Sequence, residues 1–247
     1  MDSTLFLVAR SLPVRHGFTL RSGGVSEGKR ASLDLGPAAE AGADVHENRA
    51  RVARAAGLPP ERLALVEQVH GTRVVRAVRG ALPEADALWT DAADQWIGIR
   101  TADCVPVLLC SEDGARVAAV HSGWRGTAAR IVEAAVSTLS AAGVPPGGLR
   151  AAIGPSIGPC CYEVSEDLAG RFTDAFGAEV VRRNGPRPCL DLRFAVRRTL
   201  VHAGVVEAHI EDVPGCNACD PERFFSHRRD RGGTGRHLAF IAAGRVS

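Results

Sequence analysis

Short apolar runs bounded by turn residues recur along this chain, a pattern typical of buried strands. Two of these runs lie on either side of Asp103 and Cys104. Pro106 in the second run lacks a backbone donor, which predicts a bend or a sheet edge near Cys104. The other runs predict extended segments at Leu63 to Val69, Thr72 to Val78, Arg116 to His121, Leu149 to Ile153 and His237 to Ala242.

Segments with helical periodicity and capping residues lie between these strands. Asp44 and Ser165 are predicted N-caps, Asp191 stands near a third helix start, and Gly57 is a stop signal. The predicted helices are Asp44 to Ala56, Thr127 to Ala142, Glu166 to Phe176 and Leu190 to Ala203. Mixed strands and helices without a long linker predict one domain over residues 1–247.

Composition narrows the class of protein. With 247 residues and 45% hydrophobic content, the chain can bury a sizeable core. A formal net charge of +2 and the absence of a basic run argue against a nucleic-acid partner. No apolar stretch approaches the roughly 20 residues of a membrane span, and the N-terminal apolar run is too short for a signal peptide. We therefore expect a cytoplasmic protein without membrane association, and the sequence does not indicate its oligomeric state.

Three residues supply the candidate chemistry: His70, Cys104 and His121, each beside small residues or at the end of an apolar run. A lone histidine or cysteine is usually structural, but all three stand next to predicted turns and near charged groups. Two imidazoles and one thiolate leave the fourth position of a tetrahedral metal open. That ligand set is typical of a catalytic zinc site, since structural zinc sites usually close all four positions with protein.

The remaining cysteines and the polar tail carry weaker signals. An odd total of seven cysteines in a chain of this length favours reduced thiols. Cys216 and Cys219 form a lone Cys-x-x-Cys pair, and Cys160, Cys161 and Cys189 do not supply a second pair at suitable spacing. The pair is therefore predicted to be structural only. The segment 224–230 combines two aromatics with charged residues, which favours a substrate-facing or cleft-closing role.

Six ordered motifs carry a resemblance: Glu67 to Gly71, Ala85 to Ala87, Thr101 to Pro106, Ala119 to Gly126, Ile153 to Val164 and Phe225 to Asp230. Together they closely resemble the laccase-domain family, in particular the bacterial relatives of LACC. That family was once catalogued as polyphenol oxidoreductases and is now associated with purine nucleoside metabolism. The match runs from about Gly17 to Ile241.

The resemblance implies a zinc enzyme that phosphorolyses adenosine, inosine, guanosine and methylthioadenosine and also deaminates adenosine. Its partners would be purine nucleosides and phosphate. The family's metal ligands fall on His70, Cys104 and His121, the residues that ligand chemistry selects independently. The implied fold is α+β, with mixed β-sheets packed together and flanked by helices, of the kind shared with bacterial toxin deamidases.

Further roles follow from this scheme. Cys104, Asp103 and Arg125 are predicted catalytic residues: Asp103 would orient a ligand or move a proton, and the forked donor of Arg125 would hold phosphate. Asp34 stands where the family usually has asparagine, which bears on substrate range because an ionised carboxylate only accepts hydrogen bonds. The predicted substrate-binding residues are Asp34, Arg125, Phe225 and His227.

Rival functions use the same residues. A copper-dependent polyphenol oxidase fits the older family label, but the eight histidines contain no His-x-His pair. Copper could still occupy a site of two histidines and one cysteine as an alternative or adventitious metal. A cysteine-dependent hydrolase of peptidoglycan precursors would use Cys104 as nucleophile and His121 as base. A binding module without catalysis is the least favoured reading.

Overall fold

Two mixed β-sheets stacked face to face occupy the centre of the computed structural model, which describes residues 4–93, 95–183 and 185–245. The ends of the predicted 1–247 domain, positions 1–3 and 246–247, lie outside the described residues. The strands are β1 (Phe6–Leu7), β2 (Val14–Thr19), β3 (Leu63–Ala64), β4 (Val74–Arg76), β5 (Ala87–Thr90), β6 (Trp96–Thr101), β7 (Val105–Ser111), β8 (Val117–Ser122), β9 (Leu149–Ile153), β10 (Val181–Arg182), β11 (Cys189–Leu190), β12 (Ile210–Asp212) and β13 (His237–Arg245). The helices are α1 (Ala38–Ala56), α2 (Trp124–Ala128), α3 (Ile131–Ala141), α4 (Glu166–Phe176), α5 (Leu192–His202) and α6 (His227–Asp230).

One of the two stacked sheets has five strands and the other has six. The five-stranded sheet runs β1-β2-β13-β6-β3, and the six-stranded sheet runs β12-β9-β7-β8-β5-β4. Both contain a parallel pair at one edge, β3 with β6 in the first and β4 with β5 in the second. A second parallel pair, β9 with β12, forms the opposite edge of the six-stranded sheet. The predicted mixed sheets are thus confirmed.

Apolar side chains fill the space between the sheets and on both outer faces. Ile99 and Ile241 of one sheet and Leu108 of the other belong to the buried cluster between them. Helix α1 covers the outer face of the five-stranded sheet, and α3, α4 and α5 cover the outer face of the six-stranded sheet. This α+β architecture, with packed sheets flanked by helices, confirms the predicted fold class. Among the described residues, no helix is both long and apolar enough to cross a membrane.

The predicted strands are confirmed in place, but two are much shorter than expected. The segments predicted from Leu63 to Val69 and from Thr72 to Val78 contain only β3 and β4. Between them the chain leaves the sheet, because the N–H groups of residues 69–71 donate to a side-chain carboxylate instead of a strand. A bend does occur near Cys104, whereas the alternative of a sheet edge is wrong, since β7 lies between β8 and β9.

The helix predictions hold best where a side chain caps the first turn. Ser165 accepts from the N–H of Leu168 at 3.2 Å, and Asp191 accepts from the N–H of Phe194 at 3.0 Å. The helix predicted from Thr127 to Ala142 is instead two helices, α2 and α3, separated where Arg130 adopts a left-handed conformation. Helix α1 begins at Ala38, but Gly42, with φ 55° and ψ −134°, interrupts it just before the predicted start. The part after Gly42 matches the predicted helix of Asp44 to Ala56, with Asp44 in its first turn.

Candidate metal centre and active site

The three predicted metal ligands meet at one end of the six-stranded sheet. His121 is in β8, Cys104 stands in the bend before β7, and His70 is in the loop between β3 and β4. Because β7 and β8 are antiparallel neighbours, with Pro106 opposite His121, the bend carries Cys104 to the same end of the sheet. The ligand atoms of the three residues all lie within 4.8 Å of one another.

A buried carboxylate, Asp86, positions both histidines. It is fully buried and stands immediately before β5. One oxygen is 2.8 Å from Nδ1 of His121 and accepts from the N–H of His70 at 2.9 Å, while the other accepts from the N–H of Gly71 at 2.6 Å. With Nδ1 held by Asp86, Nε2 of His121 is the ring nitrogen left for a metal.

The conformation of His70 reflects this anchor. Its φ of 60° lies in the left-handed region, which is uncommon for a residue with a side chain. The carboxylate of Asp86 offsets that cost by accepting the N–H of His70 and of Gly71. The His70 and His121 rings then meet edge to face, with their centroids 4.9 Å apart.

The electrostatics of the cluster favour a thiolate. Burial alone would raise the pKa of Cys104, but the His121 and His70 imidazoles outweigh it and lower that pKa to about 6. Burial would likewise lower the pKa of His121, yet Cys104 and Asp86 raise it to about 9. The protein alone therefore supports a thiolate and imidazolium pair, and a bound cation would take the place of the imidazolium proton.

The backbone at Gly123 passes close to two of the three candidate ligands. A Cβ built on Gly123 would lie 3.0 Å from Sγ of Cys104 and 3.0 Å from Cδ2 of His70. Only glycine lets the chain pass this close to both ligands, and the donor set of two imidazoles and one thiolate is one that zinc accepts. The proximity and the donor types of these residues are those of a candidate three-ligand metal centre.

The ligands form part of the wall of a cavity of about 520 Å³, a size suited to a small-molecule substrate. His227 also lines it, as predicted for a substrate-facing residue. A larger cavity of about 650 Å³ near Arg116 and Arg245 contains none of the three ligands and is remote from this chemistry. The other residues around the metal cavity are Pro37, Glu67, Gln68, Leu82, Arg100, Thr101, Ala102 and Arg236.

The other predicted site residues lie outside the cavity wall. Asp103 is buried, and its carboxylate accepts from the N–H of Arg228 at 2.6 Å, while its second oxygen has no protein partner. Burial raises the pKa of Asp103. Arg125 is exposed, with its guanidinium stacked 4.6 Å from the Trp124 ring centroid. Phe225 is fully buried.

Asp34 is also buried, and its position suggests an indirect part in the site. One oxygen accepts from the N–H of Gly36 at 2.9 Å and from the N–H of Arg236 at 2.8 Å. Because Arg236 lines the cavity, Asp34 fixes the backbone of a wall residue. Both backbone bonds require only an acceptor, which an asparagine oxygen would equally provide.

Several residues of the site have no role in the sequence-based scheme. Asp86 could have been found as an acid between two alanines before an apolar strand. Gln68 exchanges two hydrogen bonds with the backbone of Arg100, at 2.7 and 2.8 Å, and so fixes the wall behind the ligands. No spacing rule links Gln68 to Arg100, since the contact depends on how the loop before β4 lies against β6.

The prediction that Cys216 and Cys219 lack partners is wrong. Their thiols lie with those of Cys160 and Cys161 in a group whose sulfur atoms are all within 4.8 Å of one another. The two pairs follow β9 and β12, which are parallel neighbours. Sequence spacing missed this because more than fifty residues separate the pairs along the chain.

Comparison with known proteins agrees with the family resemblance found in the sequence. A model of the family described as multi-copper polyphenol oxidoreductase laccase matches residues 15–244. This chain belongs to that family. The laccase-domain resemblance carried by the six motifs is therefore confirmed.

Individual members of the family are similar over nearly the whole chain. A purine nucleoside phosphorylase of Deinococcus radiodurans is 41% identical over 237 residues, covering 95% of this chain and 91% of that protein. The crystal structure of YlmD from Geobacillus stearothermophilus has a TM-score of 0.91 at 36% identity and covers 98% and 97% of the two chains. Human purine nucleoside phosphorylase LACC1 is 30% identical over 92% of this chain and 55% of that protein.

Proposed function

We propose that this protein is a zinc-dependent purine nucleoside phosphorylase that also deaminates adenosine. The observation that carries the proposal is the three-ligand centre of His70, Cys104 and His121 in the wall of a cavity. Relatives that cover most of the chain are named purine nucleoside phosphorylases. The substrates would be adenosine, inosine, guanosine and methylthioadenosine, with inorganic phosphate as the second reactant.

In phosphorolysis a phosphate oxygen forms a bond to the anomeric carbon of the ribose while the bond from that carbon to the base nitrogen breaks. The bonding electrons leave with the purine, which takes up a proton, and the products are ribose 1-phosphate and free base. The protein has two tasks: to hold an anion against the sugar and to assist departure of the base.

Positive charge on the cavity wall suits the first task. Arg100 and Arg236 both line the cavity, and both are anchored through backbone contacts. Arginine suits phosphate because its planar fork donates two parallel hydrogen bonds. Arg125, the predicted phosphate ligand, is exposed and lies outside the cavity wall, so we assign the first contacts to Arg100 and Arg236.

His227 is the proposed proton donor to the departing base. It is exposed to the cavity at the start of α6. The next residue, Arg228, donates its N–H to the carboxylate of Asp103. This hydrogen bond fixes the position of α6 relative to the bend that carries Cys104. Asp103 is thus a positioning residue in this scheme, and Phe225 packs behind the same segment.

The site would hold zinc through Nε2 of His121, Sγ of Cys104 and a ring nitrogen of His70, and a bound zinc would supply Lewis acidity at the cavity wall. The same cavity would serve hydrolytic deamination, in which water replaces the 6-amino group of adenosine and ammonia leaves. Nucleosides, phosphate and reduced thiols coexist in the cytoplasm, where we expect the protein to act.

The direct test is phosphate-dependent release of hypoxanthine and ribose 1-phosphate from inosine by purified protein, with zinc measured on the same sample. We expect turnover that requires phosphate and tracks zinc content. Arg236→Gln should raise the KM for phosphate by about tenfold or more, since it removes a charge-assisted contact. The exposed Arg187→Gln variant is the matched control. No turnover of any of the four nucleosides by zinc-loaded protein would refute the proposal.

A metal-free cysteine hydrolase is the second candidate, because one observation favours it. Cys104, His121 and Asp86 form a connected series in which the acid holds the base and the base faces the thiol. This arrangement would attack an amide in peptidoglycan precursors. Treatment with a metal chelator distinguishes the two functions. Removal of zinc should abolish phosphorolysis, whereas amide hydrolysis by a thiolate nucleophile would be kept or increased.

The copper oxidase reading is weaker on ligand grounds. Among residues 4–93, 95–183 and 185–245, the groups of His, Cys, Asp and Glu close enough to share an ion are the three-ligand centre and the four-cysteine group. A multi-copper centre needs further histidine clusters. A single copper could still replace zinc at the three-ligand centre, given its higher intrinsic affinity for such donors.

A further inference from the structure

The four-cysteine group stands apart from the cavity and joins two loops. Cys160 and Cys161 lie in the loop after β9, and Cys216 and Cys219 lie in the loop after β12. The parallel pairing of those strands extends into the loops through an isolated bridge between Ser156 and Cys216. None of the four cysteines lines the metal cavity.

Sulfur separations match a shared metal ion. Sγ of Cys219 is 3.3 Å from Sγ of Cys160 and 3.3 Å from Sγ of Cys161, and Sγ of Cys160 is 3.6 Å from Sγ of Cys216. All four thiols are free, and these separations far exceed the about 2.05 Å of a disulfide. Zn–S bonds of about 2.3 Å would put the sulfurs of a tetrahedral site roughly 3.8 Å apart. These three separations are slightly shorter than that value, so a small outward shift of the sulfurs around a central ion would bring them to the ideal spacing.

The backbone around Cys216 is arranged to receive a thiolate. Gly158 donates its N–H to Sγ of Cys216 at 3.2 Å. The N–H groups of Cys219 and Asp220 both point back to the carbonyl of Cys216, each at 3.2 Å, which forms the tight turn of the Cys-x-x-Cys segment. Donors aimed at a sulfur favour its anionic form, the form that binds metal.

Four thiols this close need a common partner. If they were thiolates without a cation, like charges less than 5 Å apart would repel one another strongly. If they were neutral thiols, four weak donors would gather at the surface for little stabilisation. A divalent ion removes both difficulties, because four protein sulfurs close its coordination shell.

We propose that Cys160, Cys161, Cys216 and Cys219 bind a structural zinc ion that ties the loop after β9 to the loop after β12. This second centre has no position left for substrate, so its role is to fix the protein chain. It is independent of the function proposed for the cavity.

The tied loops lead directly to the cavity. Arg229 donates to the carbonyl of Asn217 at 2.7 Å, and Arg228 donates to the carbonyl of Glu163 at 2.8 Å, so the segment carrying His227 contacts both loops. Release of the ion would loosen the segment 224–230 from the bend at Asp103. The structural zinc thereby supports one wall of the cavity from outside.

The test is zinc content and coordination in protein purified under reducing conditions. The Cys104→Ala variant should retain about one zinc per chain, with a zinc-edge X-ray absorption spectrum that fits four sulfur ligands at about 2.3 Å. The Cys216→Ser/Cys219→Ser variant should lose about one zinc per chain relative to wild type. Cys189→Ser, which removes a cysteine outside both groups, should lose none.

Three results would overturn the proposal: iron in place of zinc, nitrogen or oxygen ligands on the zinc retained by Cys104→Ala, or native protein with disulfides among the four cysteines by mass spectrometry. The absorption measurement leaves the cluster intact, so it decides the matter even if the double serine variant does not fold. Failure of phosphorolysis would not affect any of these readings.

Discussion

The two cysteine-containing groups of this protein differ in ligand number, ligand type and surroundings. His70, Cys104 and His121 form a mixed group beside a cavity, with Asp86 behind two of its members. The other group consists of four thiols near the surface, and the N–H of Gly158 donates to one of them, Cys216. Three protein ligands leave a position for a reactant, and four do not. The comparison teaches that cysteine alone does not indicate a role: by ligand number, the first group is the proposed reactive centre and the second is the proposed structural one.

The segment 220–230 connects the two groups. It begins beside Cys219 and reaches the cavity at His227, and the buried Phe225 N–H donates to Nε2 of His237 at 2.8 Å on the way. A change in either group can therefore reach the other through this segment. The following predictions separate their effects.

The largest effect is expected from removal of the thiolate at the cavity. Cys104→Ala should lower kcat/KM for phosphorolysis on the order of 10³-fold, because it takes away the anionic ligand of the reactive centre. Cys219→Ala should instead lower the melting temperature and change kcat/KM by less than about tenfold. Steady-state kinetics and calorimetry on both variants measure the contrast, with Cys189→Ala as the control. If both variants lost activity alike with unchanged stability, the division of roles would be wrong.

The stability of the folded protein should decrease in acid because of His237, which accepts a hydrogen bond from the segment that connects the two groups. Burial lowers its pKa to about 4, below the roughly 6.5 of an exposed histidine. Between those values the unfolded chain binds the additional proton, so the contribution of His237 is fully present above about pH 6.5 and is lost as the pH falls toward 4. The shift corresponds to about 3 kcal/mol. His237→Gln should reduce the acid-induced loss of stability by this amount in urea unfolding from pH 7 to pH 4.

The exposed His202→Gln variant is the matched control for that measurement, and its unfolding should follow the wild-type pH dependence. An unchanged pH dependence in His237→Gln would mean that other buried groups carry the effect. His16 is the first alternative, since burial also lowers its pKa.

The next effect concerns the carboxylate behind the cavity ligands. Asp86→Asn should keep the shape but weaken the hold on Nδ1 of His121, and we expect a loss of about 10- to 100-fold in zinc affinity. Competition with a chromogenic chelator measures the affinity. Zinc bound at the four-cysteine group should be unaffected, and a loss of both ions would contradict the separation of the groups.

The smallest effect should come from the glycine beside two ligands. In Gly123→Ala the new Cβ would lie 3.0 Å from Sγ of Cys104, closer than normal packing permits. A displacement of the thiol should lower activity roughly tenfold with little change in fold. Gly147→Ala, where nothing lies within 4 Å of the new atom, is the control. Equal activity of the two variants would show that the ligands tolerate the displacement.

Local signals in the sequence were sufficient for much of this description. Ser165 and Asp191 begin helices because their side chains accept a hydrogen bond from within the first turn, a rule that needs no distant contact. The chemistry of His70, Cys104 and His121 likewise follows from residue type, and the structure brings their ligand atoms within 4.8 Å. Their roles as metal ligands remain predictions that the zinc measurements will test.

Local rules failed where a distant group competes with the local one. Strand pairing was predicted through Val69, but Asp86 takes the N–H groups of the loop, so the chain leaves the sheet. Arg130 interrupts a helix that periodicity alone would continue to Ala142. In both places the competing conformation depends on tertiary packing, which no window of neighbouring residues contains.

By itself, the sequence determined membership in the family, predicted many of the strands and helices, and selected His70, Cys104 and His121 as candidate metal ligands. Only the tertiary structure decided which residues share a site. Asp86 joined the cavity centre and four cysteines joined each other because parallel and antiparallel pairing brings distant loops to the same ends of a sheet. Sulfur, nitrogen and carboxylate chemistry acts over a few ångströms in space, and only folding converts separation along the chain into such distances.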